Sequence, residues 1–210
     1  LPVAPVPLAG PFRRGLQALL ADRRWRLFLF LAFTGGAGMG FVHHFLFLYM
    51  DGIGASRTTM GMALSVATLS ELAVFGLAHR WLDRWGVHRV LAFAMLATAA
   101  RLLGYAALPH PGWVLLLQLL HGPTFALMWT AGVAGASRLA PPGLGATAQG
   151  LFTGVNFGLG GAFGALLGGV LYEQVGALSM YALAGAGVLG SVLAYLALSR
   201  GGRALALESG

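Results

Sequence analysis

Six apolar stretches divide the chain, near Leu27 to Met50, Thr59 to Leu77, Val90 to Leu108, Trp113 to Ser137, Ala146 to Leu171 and Ser179 to Leu198. Each runs to about 20 residues or more, enough for a helix to span the hydrocarbon of a bilayer. The pattern therefore predicts an all-α polytopic membrane protein with six transmembrane helices, the first to sixth spans. Polar positions recur inside these spans at helical spacing. Gly36, Gly40 and His43 share a face of the first span, and Gly61, Ser65, Thr68 and Glu71 a face of the second. Thr98, Arg101 and Tyr105 align on the third, Gln118, His121 and Phe125 on the fourth, and Gln149, Thr153, Asn156 and Gly160 on the fifth. A narrow polar stripe on an otherwise apolar helix is what a bundle needs to surround a hydrated cavity. The sixth span has only Ser191 and Tyr195 in its body and is expected to be peripheral.

Composition agrees with a lipid environment. Hydrophobic residues make up 58% of the chain and charged residues 9%, against roughly 25% charged in ordinary soluble domains. Trp25, Tyr49, Trp81, Trp85, Trp113 and Tyr172 fall near span ends, where amphipathic rings favour the interface, and Pro109, Pro111, Pro141 and Pro142 fall in connections. The connections are short, so residues 26–200 are expected to form one bundle. Residues 1–25 read as a cytosolic connector from something upstream and 201–210 as a cytosolic tail. In the connector Leu16, Leu19 and Leu20 beside Arg13, Arg14, Arg23 and Arg24 would form a surface helix, with a solvated linker as the alternative.

The net charge of +7 follows the loops rather than one binding stripe, which argues against a nucleic-acid partner. With a cytosolic N-terminus the inside segments hold Arg13, Arg14, Arg23, Arg24, Arg26, Arg80, Arg84, Arg89, Arg138, Arg200 and Arg203, and the outside loops hold only Arg57. The positive-inside rule then places both termini in the cytosol. Nothing in the sequence sorts the chain between plasma and internal membranes. The absence of cysteine excludes disulfides and thiolate metal sites.

Glu71, Arg101 and His121 lie inside three different apolar stretches, where an unpaired charge costs on the order of 3 kcal/mol or more. Counted at about 1.5 Å per residue, His43, Arg101 and His121 lie roughly 10 Å below the outer ends and Glu71 nearer the midplane, so that they could meet. Glu71 should then either pair with Arg101 or take up a proton, and a group able to do both would couple proton movement to solute movement. A structural ion pair is the alternative. His43, Gln118, Asn156, Thr153 and Gln149 are candidate cavity contacts, although Asn156 and Gln149 could equally be interhelical glue. No metal or cofactor is implied: the neighbours His43 and His44 point about 100° apart, and no carboxylate sits at chelating spacing.

Glycines at four-residue spacing, Gly150, Gly154 and Gly158 and then Gly160, Gly164 and Gly168, predict close helix approach along the fifth span. Gly35, Gly36, Gly38 and Gly40 in the first span and Gly122 with Pro123 in the fourth predict weakened helices there. Interruptions at corresponding places in two groups of three helices would suit a transporter that rocks about a central site.

The segment L-A-H-R-W-L-D-R-W-G-V-H-R-V-L, Leu77 to Leu91, resembles the cytosolic loop signature of the major facilitator superfamily, with Asp83, Arg84, Gly86 and Arg89 in order. His79 stands where a glycine is usual, a departure familiar in the second-half copy of that loop. The segments H-G-P-T-F-A-L-M-W-T-A-G-V-A and A-P-P-G-L-G-A-T-A-Q-G-L-F resemble the branch containing major facilitator domain-containing protein 6, which is similar to the oligosaccharide/proton symporters. The resemblance covers about Arg26 to Arg200 and implies the C-terminal six helices of a twelve-helix fold. It also implies a cytosolic gating role for Asp83, Arg84, Gly86 and Arg89. Symporters of this type place a carboxylate, an arginine and a histidine as Glu71, Arg101 and His121 are placed; where they have a further carboxylate one turn beyond the histidine, this chain has Thr124.

Together these features imply a secondary transporter of a small polar solute, sugar-like or nucleoside-like, coupled to protons by alternating access. Its partners would be the bilayer and a missing N-terminal six-helix half or a second copy. A non-transporting receptor or scaffold of the same fold is the alternative. An intramembrane hydrolase is disfavoured because Ser137 ends a span and no histidine follows it to act as base.

Overall fold

The computed structural model describes residues 9–208, with side chains described for 12–199. The opening residues 1–8 of the expected connector and the last two of the tail lie outside the described residues. All the described regular structure is helical. In chain order it comprises α1 (Ala9–Ala21), α2 (Arg23–Gly52), α3 (Arg57–Ala107), α4 (Pro111–Gln118), a π segment (Gly122–Ala126) and α5 (Leu127–Leu139). Then follow α6 (Gly145–Thr153), a second π segment (Gly154–Gly160) and α7 (Gly161–Glu208).

Short polar residues and prolines start these helices. Asp22 accepts a hydrogen bond from the Arg24 amide at 2.7 Å and caps α2. The Ser56 hydroxyl accepts from the Thr59 amide at 3.1 Å and caps α3. His110 Nδ1 accepts from the Gly112 amide at 3.2 Å ahead of Pro111, whose missing N–H costs nothing in a first turn. The connector is thus helical from Ala9, and its Leu19 is buried.

Four helical stretches are long and apolar enough to cross a membrane: Arg23–Gly52, Arg57–Ala107, Pro111–Leu139 and Gly145–Ser199. Two of them cannot be straight rods. At 1.5 Å per residue α3 would measure about 77 Å, more than twice the hydrocarbon thickness. Gly86 breaks it at φ 74°, ψ 162°, and Gly176 breaks α7 at φ 78°, ψ 170°. Side chains rarely tolerate that region, so glycine is required at both points. The chain doubles back at each. Ser70 and Arg101, about equally far in sequence from Gly86, both reach the end of α4. Gly164 and Val188, about equally far from Gly176, both meet α2 at Ala37 and Gly38. Asp83 is exposed just before the Gly86 turn, and among the described residues its carboxylate has no hydrogen bond or ion pair.

The core lies where α2, α3 and α7 meet. Tyr49, Tyr105 and Tyr181 pack with ring centroids 5.1 to 6.0 Å apart, and the Tyr49 hydroxyl donates to the Tyr105 carbonyl at 2.7 Å. Trp25 and Tyr49, expected at the membrane interface, are instead buried, because tertiary packing claims their rings; Trp25 sits 5.4 Å from Phe28. The sixth stretch is less peripheral than expected. Met180, Tyr181, Val188 and Val192 are buried, and Ser191 donates to Thr34 of α2.

Helix α2 runs unbroken from Arg23 to Gly52, so its glycines do not interrupt it as the sequence suggested. They serve packing: a Cβ at Gly36 would overlap the Asn156 backbone, and one at Gly160 would strike the Phe33 carbonyl. The glycine stripe is also shorter than expected, since Gly150, Gly154 and Gly158 have nothing within 4 Å. The irregular points are the π segments in the fourth and fifth stretches rather than in the first and fourth.

Candidate functional site

Pro123 shapes the site. Lacking an N–H, it cannot bond the Leu119 carbonyl one turn earlier, and the helix widens into a π segment. The Ser70 hydroxyl, on α3, takes over that carbonyl by donating to it at 2.5 Å, while its oxygen accepts from the Gly122 amide at 3.1 Å. Gly122 permits the approach, because a Cβ there would collide with the Ser70 backbone. One hydroxyl thereby fastens α3 to the bend and sets Glu71 beside His121.

Arg101 is 2% exposed and forks among neutral acceptors. Its Nε donates to the Tyr105 hydroxyl at 2.9 Å, one terminal nitrogen to His121 Nδ1 at 3.0 Å and Thr124 Oγ1 at 3.3 Å, and the other to Gln118 Oε1. Tyr105 in turn donates to Gln118 Oε1 at 3.0 Å. A buried guanidinium needs its donors satisfied, and a planar fork suits several partners at once.

His121 Nε2 lies 3.3 Å from Glu71 Oε2. Because Arg101 can only donate, Nδ1 is the acceptor, and the partners assign the tautomer that carries its proton on Nε2, facing the carboxylate. The direct Glu71 to Arg101 pair expected from sequence is replaced by a chain in which the imidazole stands between them. The His121 ring stacks on Phe125 at 5.6 Å and lies 6.2 Å from the His43 ring. Phe125 contacts Phe75 and Phe157, and Phe157 contacts Trp129, which forms an aromatic wall beside the charged groups.

The other expected contacts are placed differently. His43 is exposed and, with Gly36 and Asn156, lines a cavity of about 210 Å³. Asn156 is buried and donates to the Ala32 carbonyl at 2.7 Å, joining the second π segment to α2. Gln149 donates to Ser137 Oγ at 2.8 Å, and half-buried Thr153 lies one turn beyond it. Arg84, Gly86 and Arg89 line a second cavity at the arginine-rich end. Ser70 and Thr124 are site residues that helical spacing does not mark. Ser70 follows no polar stripe, and the adjacency of Gly122 and Pro123 was the signal that something must replace a lost backbone donor.

The chain matches the family model described as MFS_1 like family over residues 10–183. Among curated relatives it is similar to maltose permease of Geobacillus stearothermophilus, 33% identical over 86% of this chain and 47% of that protein. It is also similar to major facilitator superfamily domain-containing protein 6-like of Mus musculus, 28% identical over 84% and 31%, and to putative nucleoside transporter YegT of Escherichia coli strain K12, 28% identical over 77% and 39%. The chain thus spans less than half the length of these relatives. Its fold is that of the solved nucleoside transporter NupG D323A mutant, with a TM-score of 0.75, 20% identity, and coverage of 94% of this chain and 55% of that one. A domain match over most of its length, a relative at one-third identity and membrane-long apolar helices make this chain an integral multipass membrane protein of the MFS_1-like family, within the major facilitator superfamily.

Proposed function

We propose that the chain is the C-terminal six-helix half of a proton-coupled secondary transporter for a small polar solute, working by alternating access and not as an enzyme. In this reading α3 and α7 each cross the membrane twice, with the turns at Gly86 and Gly176, and both termini are cytosolic. The observation that carries the proposal is the chain Arg101, His121 and Glu71 at the junction of α3 with the bend after α4. Arg101 fixes the imidazole by occupying Nδ1, so proton uptake falls to Glu71, which is partly exposed where Arg101 is sealed. Loss of that proton leaves a carboxylate able to accept solute hydroxyls, and the aromatic wall offers a face to a sugar or nucleoside ring. The names of the relatives, a maltose permease and nucleoside transporters, support that solute class. His43 and Asn156 would lie along the entry, and Asp83, Arg84, Gly86 and Arg89 at a cytosolic gate. The missing half, or a second copy, would complete the cavity.

The test is uptake of labelled sugars and nucleosides into proteoliposomes under an imposed pH gradient, with the full-length protein beside its Glu71→Gln variant. Gradient-driven uptake abolished in the variant is the expected result. No uptake by a folded, full-length protein would instead favour a receptor or scaffold that keeps the facilitator fold.

A further inference from the structure

A second cavity, of about 480 Å³, opens far from Glu71, between the Gly86 turn of α3, the start of α2 and the end of α5. Its polar lining includes Arg84, Arg89 and Arg138. Among the described residues none of these guanidinium groups lies within 4.0 Å of a carboxylate. Its apolar lining is Phe28, Val87 and Leu139, packed tightly enough that a Cβ on Gly135 would meet Phe28 and Val87 at 2.9 and 3.1 Å. Trp85, 40% exposed, stands among the lining residues and stacks on Trp81. The cavity thus combines three cationic groups with a greasy floor at the end of membrane-long helices.

We infer that this cavity binds the phosphate headgroup of an anionic phospholipid from the leaflet on the arginine-rich side. Three arginines favour a phosphate diester, and guanidinium forks match its oxygens in pairs. The floor of Phe28, Val87 and Leu139 can cover the glycerol backbone and first methylenes, which a free phosphate would leave empty. A zwitterionic lipid fits less well, because three guanidinium groups repel its cationic end and no carboxylate lines the cavity to offset them. Basic pockets between transmembrane helices on the cytosolic side are suited to anionic headgroups, each nearby arginine strengthening binding about fivefold.

The test is native mass spectrometry of the full-length detergent-purified protein with phosphatidylglycerol, phosphatidylcholine or inorganic phosphate. Phosphatidylglycerol is expected to be retained over phosphatidylcholine, and to bind about fivefold more weakly in Arg138→Gln, with further weakening when Arg84→Gln and Arg89→Gln are added. Arg138→Lys keeps the charge but not the fork and should bind more tightly than Arg138→Gln yet more weakly than the unchanged protein, which separates charge from folding. Arg57→Gln, at the other end, should bind as the unchanged protein does. Equal retention of the two lipids, or undiminished phosphatidylglycerol binding in the triple variant, would overturn the inference. Inorganic phosphate displacing the lipid at equal concentration would reassign the cavity to a free anion.

Discussion

Replacing Arg101 with lysine keeps a positive charge but not a fork. One ammonium cannot serve Gln118, His121, Thr124 and Tyr105 together, and each buried acceptor left bare costs about 1 to 3 kcal/mol. Arg101→Lys is therefore expected to lower the thermal unfolding midpoint of the purified protein, with Thr124→Val lowering it less, by about 1 kcal/mol of stability. Ser70→Ala should cost more than an ordinary surface hydroxyl, about 1 to 3 kcal/mol, because it strands both the Leu119 carbonyl and the Gly122 amide. A Ser70→Ala protein as stable as the parent would show that water replaces the hydroxyl there. The charged members of this cluster were legible in the sequence because an ionisable group in an apolar stretch is conspicuous. Ser70 and Thr124 were not, since most hydroxyls in such helices bond only their own preceding turn, as Ser65, Thr98 and Thr130 do. The intervening imidazole was also invisible, because helical spacing places residues on faces but does not fix how far each side chain reaches.

At the scale of elements, the two glycine turns and the glycine seam make separable predictions. Gly86→Ala places a side chain at φ 74°, ψ 162°, a region open essentially to glycine alone, and should destabilise by about 1 to 3 kcal/mol. Gly36→Ala forces α2 away from Asn156 and should be worse, whereas Gly150→Ala, with nothing within 4 Å, should be neutral or slightly stabilising. Unfolding midpoints of the three variants in one detergent give the ranking, and a Gly150→Ala loss as large as that at Gly36 would contradict the seam. The turn at Gly86 could be read from the loop around Asp83, and the turn at Gly176 from the gap between the last two apolar stretches. The second π segment could not. No proline marks Gly154–Gly160, and its irregularity accompanies the backbone contact with α2 rather than a local signal. The glycines of α2 misled for the complementary reason. Read as weakness, they are sites of contact, and the helix around them stays continuous.

For the whole molecule, the distribution of arginines predicts sidedness. The chain has no cysteine, so single cysteines introduced at Arg57 and Arg80 can be probed with a membrane-impermeant thiol reagent. In intact cells the Arg57→Cys protein should label and the Arg80→Cys protein should label only after permeabilisation. The reverse pattern would invert the orientation, and equal labelling of both would show that the arm of α3 between them does not cross the membrane. The match to less than half of maltose permease bears on a further prediction of the proposed reading: this chain alone, reconstituted, should give no gradient-driven uptake, and uptake by the chain alone would show that two copies complete the cavity. The seam between α2 and the segment around Gly160 and Gly164 bears on how such a protein could move. Packed helices usually slide past one another by exchanging side-chain rotamers, but here backbone rests on backbone and there are no rotamers to exchange. These two helices form a stiff spar. Movement is expected instead at the π segment after His121, where a serine hydroxyl on a neighbouring helix stands in for a missing backbone donor and can be let go one bond at a time.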